Sequence, residues 1–296
     1  MKIGETEIVD TFAEAFRMRY TRLIVTAHDD YWLDAAVRAF SGYASSVIAC
    51  DAEIGVERHL PTAETPDGRP GVALLAFGFS TDALAKAIPN RTGQCLMTCP
   101  TTAVYDGLPD GEEQLPLGKH LRFFGDGFQK SKRLNGRRYW RIPVMDGEFL
   151  VEERLGVNKG IAGGNLIFHG RTHVGALAAA RRAAEALTPL PGVITPFPGG
   201  IARSGSKVGS VYKGLMASTA DAYCPTLRGN VPTTLLHPEA NYAYEIVIDG
   251  EDEAVIARAM RNAMHAAAGP DVAAISAGNY GGKLGKFHFQ LRELVH

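Results

Sequence analysis

Long apolar runs are missing from this 296-residue chain. No stretch of about 18 consecutive apolar residues occurs, so no transmembrane helix is expected. An excess of either charge is missing too: 31 Lys and Arg stand against 32 Asp and Glu, a formal net charge of −1. That balance argues against a nucleic-acid protein, because a phosphate backbone calls for a clear basic surplus. Cysteine is scarce, and Cys50, Cys95, Cys99 and Cys224 read as reduced thiols rather than a disulfide framework. The opening residues Met1-Lys-Ile-Gly-Glu-Thr-Glu7 lack the apolar core of a signal peptide, and a cytoplasmic location is expected.

Familiar catalytic fingerprints are absent as well. No G-x-G-x-x-G follows a strand-like segment, which disfavours a dinucleotide site. Gly285-Lys286 resembles the end of a P-loop, but Tyr280 stands where the first glycine is needed and Phe287 where a magnesium-binding hydroxyl should be. No G-x-S-x-G elbow occurs, which disfavours an α/β-hydrolase. His169 and His173 are four residues apart, but the first ends a strand-like run and the second begins a helical one. They read as ordinary polar residues rather than a zinc pair, and no metal site is expected.

What is present is an ordinary globular balance, 46% hydrophobic and 21% charged, arranged in two matching passes. In the first, Arg22–Ala27 reads as a strand, Asp29 or Asp30 caps a helix through Trp32, Ala35, Ala36 and Ala39, and Ser46–Cys50 reads as a second strand. Gly71–Phe79, Ser80–Ile88 and Gln94–Cys99 then read strand, helix, strand, with Cys95 and Cys99 on one core-facing side. In the second, Asn165–His169 is a strand, Thr172 caps the helix His173–Leu187, and Gly192–Thr195 is a strand. Tyr242–Ile248, Asp252–Ala267 and Asp271–Ala277 complete it. Each pass is β-α-β-β-α-β, the split pattern of ferredoxin-like folds. The expected class is α+β: an N-terminal lobe at 1–160 with a β-rich insertion over about 100–160, and a C-terminal lobe at 161–296 with an irregular insertion over about 206–240. Irregular stretches that long are uncommon unless functional or interfacial.

Two glycine-rich segments stand out. Val193-Ile-Thr-Pro-Phe-Pro-Gly-Gly-Ile-Ala-Arg-Ser-Gly-Ser-Lys207 is echoed by Ala277-Gly-Asn-Tyr-Gly-Gly-Lys-Leu-Gly-Lys286. Each leaves an apolar strand and breaks into glycines mixed with cationic and hydroxyl or amide residues. Glycine permits close backbone approach to a ligand, and the accompanying side chains suit an acidic small molecule. Taken singly, each loop reads equally well as a tight turn with solvated lysines. Glu245 is the other outlier, a carboxylate inside the apolar strand Tyr242–Ile248. Placed in a cleft it would have a raised pKa suited to proton transfer; placed outward it would merely pair with a lysine or meet solvent.

From Pro196-Phe-Pro-Gly-Gly-Ile-Ala onward to Ser204-Gly-Ser-Lys207, the chain resembles the formylmethanofuran:tetrahydromethanopterin formyltransferases. The resemblance includes Asp10-Thr-Phe-Ala-Glu-Ala-Phe16, Glu64-Thr-Pro-Asp-Gly-Arg-Pro-Gly71, Gly93-Gln-Cys95 and Pro100-Thr-Thr-Ala-Val104. It continues in Gly160-Ile-Ala-Gly-Gly-Asn165, Tyr244-Glu-Ile-Val-Ile248 and Ala277–Lys286. It implies a two-lobed homotetramer with no tightly bound cofactor. Such an enzyme passes a formyl group between the amine of methanofuran and N5 of tetrahydromethanopterin, which are carrier substrates. The near-neutral charge resembles the version used by methylotrophic bacteria, which implies hydrolase subunits of a formyltransferase/hydrolase complex as partners and a physiological direction toward formate.

Formyl transfer between two nitrogens passes through a tetrahedral oxyanion and needs a proton donor and acceptor. The resemblance puts Glu245 in that role. Ser206, Lys207, Asn279, Tyr280 and Lys283 are candidates for holding the acidic carriers, with Asn165 in the same cleft. Backbone N–H groups of Gly199, Gly200, Gly281 and Gly282 are candidate oxyanion or carboxylate donors. Glu64, Asp67 and Arg69 read as structural or interfacial, and Arg137-Arg138 as a solvated pair on a β-ribbon. A non-catalytic scaffold that only docks a carrier, and an amidohydrolase releasing formate, are the competing readings.

Overall fold

The computed structural model describes residues 1–295. It divides into two compact units, one made of residues 18–160 and the other of residues 1–17 together with those from 161 onward. The first seventeen residues therefore do not belong with the N-terminal lobe, contrary to the expected 1–160 boundary. The reason is strand pairing and burial. Thr6–Ile8 adds to Val272–Ser276 in parallel, Phe12–Ala15 pairs with Phe287–Gln290, and Ile8, Ala13 and Ala15 are buried in the later core.

In the unit 18–160 the order is strand, helix, strand, strand, helix, strand. These are the later part of Phe12–Thr26, Asp30–Ser41, Glu53–Leu60, Gly71–Gly78, Thr81–Arg91 and Ala103–Asp106. Gly71–Gly78 lies between Glu53–Leu60 and Phe12–Thr26, and Ala103–Asp106 flanks Phe12–Thr26 on its other side, all antiparallel. The spatial order second, third, first, fourth is that of a split β-α-β sheet. Asp29 and Ser80 cap the two helices by accepting from Trp32 N and Ala83 N. Leu33, Ala36, Val37 and Phe40 of one helix, with Leu84 and Ala87 of the other, pack on Leu23, Val25, Ile54 and Leu74 of the sheet.

Two expected strands of this unit are not strands. Ser46–Cys50 forms turns, closed by Cys50 N donating to Ser46 O at 2.8 Å. Ser46 Oγ also accepts from Ile48 N, so a local side-chain bond competes with ladder formation, and the strand begins at Glu53. Gln94–Cys99 instead continues the preceding helix through a π-helical turn, Thr92–Leu96, with Met97 N donating to Thr92 O at 2.8 Å. Short apolar runs are ambiguous between helix and strand. Cys95 and Cys99 still pack against the core. The β-rich insertion is present as Glu113–Pro116, Lys130–Leu134, Arg137–Val144 and Gly147–Glu152. Arg137 is not simply solvated: it is ion-paired with Glu152 and donates to Asp106 O. Asp67 accepts from Thr26, Arg69 and Tyr105, a structural network as expected.

The second unit repeats the order with the later part of Arg154–Gly170, helix His173–Glu185, Val193–Ile194, Tyr242–Gly250, helix Glu253–Ala267 and Val272–Ser276. Tyr242–Gly250 and Val272–Ser276 flank Arg154–Gly170 antiparallel, and Val193–Ile194 and Ile201–Ala202 edge Tyr242–Gly250. Small residues set the spacing: Ala179, Ala180 and Ala183 of one helix and Ala259, Ala263 and Ala267 of the other share the core. A Cβ at Gly170 would sit 2.3 Å from Ala176 Cβ, so the helix rests directly on the strand backbone. The 206–240 insertion is mostly irregular, with the hairpin Ser206–Val208/Ala217–Thr219 and two short 3₁₀ turns. No helix among the described residues is long and apolar enough to cross a membrane.

Replacing Gly170 by Ala forces this contact apart. It should destabilise the protein by about 1–3 kcal/mol, read as a lowered denaturant midpoint at unchanged slope.

Candidate active site

Register builds the floor of the site. Ile167 is paired with Glu245 on one side and with Ser276 on the other. Directly paired residues project to the same face, and alternate residues of a strand share a face. Asn165, Ile167, His169, Glu245 and Ser276 therefore lie on one face, while Leu166, Phe168, Ile246, Ile248 and Ile275 join the helices in the core. A cleft of about 540 Å³ opens over the first face, walled by residues 202–207, 220–225 and 276–280.

Glu245 enters this cleft half-buried. Its carboxylate has no hydrogen bond or ion pair among the described residues. Burial alone pushes its pKa up to about 7, so both protonation states are well populated near neutrality. Two phenols face the same space. Burial raises the pKa of Tyr223 and of Tyr280, and the nearby Glu245 charge raises each further. The Ser206 side chain offsets part of that rise for Tyr280.

Among the sequence candidates, Asn165, Ser206, Lys207, Glu245, Asn279 and Tyr280 line the cleft together; Gly199, Gly200, Gly281, Gly282 and Lys283 do not. Several of the expected ligand-binding groups are engaged with the protein itself. Asn165 donates from Nδ2 to Gly278 O at 3.1 Å and accepts from Gly278 N at 2.6 Å. Asn279 donates to Thr11 Oγ1 and Phe12 O, both at 3.1 Å, and accepts from Gly281 N. Lys207 is ion-paired with Asp221. Gly200 N donates to Phe197 O at 2.7 Å.

The later glycine loop does hold an acid, but an internal one. Tyr280 N and Gly282 N donate to Glu14 Oε2 at 2.7 and 2.9 Å; Leu284 N and Gly285 N donate to Oε1. Glu14 is fully buried. Burial pushes its pKa up, and the four backbone donors more than reverse that, so it stays below the usual carboxylate range. Gly281 and Gly282, both at φ +71, give the loop the left-handed turn that aims these amides inward. They are not available as oxyanion donors. Arg203, exposed on the same wall and without an ion pair among the described residues, was overlooked although it sits inside the first glycine segment. Tyr223 and Ser276 were also missed, since nothing in their immediate neighbourhoods marks them.

Residues 1–144 match the family model described as formylmethanofuran-tetrahydromethanopterin formyltransferase, and residues 147–294 match the model described as FTR, proximal lobe. The chain belongs to this formyltransferase family. The family's formylmethanofuran–tetrahydromethanopterin formyltransferase from Methylococcus capsulatus is 56% identical, with all of both chains covered. A component of the formyltransferase/hydrolase complex of Methylorubrum extorquens is 50% identical over 98% of this chain and 96% of its own. Among solved structures, the family member from Methanosarcina barkeri superposes with a TM-score of 0.94 at 46% identity, covering 99% of this chain and all of its own. The formyltransferase/hydrolase complex from Methylorubrum extorquens, solved with methylofuran, superposes with a TM-score of 0.96 at 48% identity, covering 100% and 99%.

The two buried carboxyls predict opposite pH behaviour. Glu14 has a lowered pKa, so its contribution is present above the ordinary carboxylate range and is lost on acidification. Glu14→Gln should cost on the order of 2 kcal/mol at pH 7 and speed amide hydrogen exchange across Tyr280–Gly285. Glu245 has a raised pKa, so its ionisation removes stability as pH climbs from about 4.5 to about 7. Glu245→Gln should therefore gain stability over wild type across that window, with the difference level above it, in melting curves taken from pH 4 to 8.

Proposed function

We propose that this chain catalyses reversible formyl transfer between N5 of tetrahydromethanopterin and the amine of methanofuran or an analogue of it. Glu245 carries the reading: a carboxyl without a partner among the described residues, in a cleft where burial brings its pKa to about 7. The attacking amine forms a bond to the formyl carbon, and the carbonyl electrons move onto oxygen. Collapse of that intermediate breaks the bond to the departing nitrogen. Protonated Glu245 can donate to the developing oxyanion or to the departing nitrogen; ionised Glu245 can take the proton lost by the attacking one. A pKa near neutrality lets one residue serve in both directions of a reversible transfer.

Arg203 and Lys207 on the cleft wall suit the acidic tails of the two carriers. The match to a component of a hydrolase complex supports assembly with hydrolase subunits, and in that setting a net flow from the formylated pterin toward formate. A homotetramer and a cytoplasmic location follow from the same reading.

Purified protein mixed with 5-formyl-tetrahydromethanopterin and the furan carrier should transfer formyl groups, followed by absorbance. Absence of transfer, alone and in its complex, would favour the scaffold instead. Glu245→Gln should lower kcat by about 10²–10³-fold with KM little changed. Arg203→Ala and Lys207→Ala should chiefly raise KM, with a loss that shrinks as salt is added; a pure kcat effect would assign them elsewhere.

A further inference from the structure

His169 is wholly buried and shares the cleft face of the strand Arg154–Gly170 with Ile167. Its register partner on the neighbouring strand is Ala274, two residues before Ser276, so imidazole and serine are diagonal neighbours. His169 Nε2 lies 2.7 Å from Ser276 Oγ. At the other ring nitrogen, His237 N donates to Nδ1 at 3.1 Å. A backbone N–H can only donate, so Nδ1 carries no proton. The proton of the neutral ring therefore sits on Nε2 and is donated to Ser276 Oγ. Burial, and secondarily the nearby His237, lower the His169 pKa to about 4, which keeps the ring in this form near neutrality. The amide that sets the tautomer comes from the end of the irregular insertion. Arg228 fixes it by donating to Pro238 O at 2.8 Å and to His237 O at 3.1 Å, and Leu236 and Ala240 pack on Ala273.

We propose that Ser276 donates a hydrogen bond to the formyl oxygen as it gains negative charge, and that His169 is a positioning residue that leaves the serine hydrogen free for it. Oγ accepts from Nε2 and makes no other hydrogen bond among the described residues, while Ser276 lines the cleft that holds Glu245. The accepted bond polarises the hydroxyl and strengthens the one it gives. A donor held in this way needs little reorganisation when the oxyanion forms. Register supplies the spacing: Ile167 stands between Glu245 and Ser276, whose strands are two spacings apart, about 10 Å. A formyl group over Ile167 is then flanked by the carboxyl on one side and the hydroxyl on the other. The amides of Gly200, Gly281 and Gly282, expected in the oxyanion role, are engaged within the protein, which leaves side chains to supply it. With Ser276 on the oxygen, Glu245 is free to exchange protons with the two nitrogens. No proton leaves the serine or the histidine, and the charge on oxygen returns to the carbonyl when the intermediate collapses.

The inference rests on the formyltransferase reading and is tested in the full-length protein. Ser276→Ala should lower kcat by about 10²-fold while leaving KM within a factor of about 3. His169→Asn keeps an acceptor for His237 N but loses the donor to Ser276, and should lower kcat by about 10-fold. His169→Gln keeps a donor at the place of Nε2 and should recover most of that loss. The double variant His169→Asn/Ser276→Ala should be no slower than Ser276→Ala alone, because the histidine acts only through the serine. Nitrogen NMR of histidine-labelled protein, with the His169 signals assigned by their loss in His169→Gln, should show the ring proton on Nε2 at pH 7. Thermal melts accompany each variant; if the variants at one position unfold, those at the other and the NMR carry the test. A wild-type protein with no transfer defeats the formyltransferase reading itself. Wild-type transfer with an unchanged Ser276→Ala kcat, a loss confined to KM, additive losses in the double variant, or a ring proton on Nδ1 overturns the inference.

Discussion

The register of three antiparallel strands is the constraint on which the site depends. With Ile167 opposite both Glu245 and Ser276, one face of the central strand belongs to the cleft and the other to the helices. A slip of one residue would turn Glu245 into the alanine-rich core and expose Ile246. The core enforces the register because Leu166, Phe168, Ile246, Ile248 and Ile275 must all meet the helices at once. Burial that stabilises the unit is thus the same burial that aims the carboxyl.

Two buried acids in this unit have opposite fates, and the difference is hydrogen bonding. Glu14 is surrounded by four backbone donors and stays ionised, fastening the 280–285 loop onto the segment that follows the N-terminus. Glu245 has burial without donors and is driven toward neutrality. One is an anchor and the other a reactive group, although each is a lone glutamate in an apolar strand. Asn165 and Asn279 extend the anchoring, bonding Gly278 O and N and the backbone at Phe12. The later glycine loop therefore serves as a wall of the cleft, which Arg203, Lys207 and Tyr223 of the 202–225 segment also line.

Much of this was legible beforehand. The repeated strand-helix-strand order, a cap at Asp29 or Asp30 and one at Thr172, and the two insertions all follow from periodicity and turn chemistry. Glu245 stood out because a carboxylate breaks an otherwise apolar strand. The failures were local ambiguities: Ser46–Cys50 and Gln94–Cys99 are short apolar runs whose side-chain and helical hydrogen bonds overrule the strand reading. The N-terminal seventeen residues were misassigned because strand addition across more than two hundred residues leaves no trace in a local window.

By itself the sequence determined an α+β chain with a duplicated element order, no long apolar helix, a resemblance to one transferase family and a conspicuous acid at position 245. Those properties are encoded in composition, period and contiguous motifs. Only the tertiary structure decided that the glycines at 281 and 282 turn their amides to Glu14 rather than to a ligand. It alone brought His169 to within 2.7 Å of Ser276 across 107 residues of chain, and brought the Glu245 pKa to about 7. Hydrogen-bond partners a hundred or more residues apart, and the removal of water from a carboxyl, are consequences of packing, and no local pattern of residues records them.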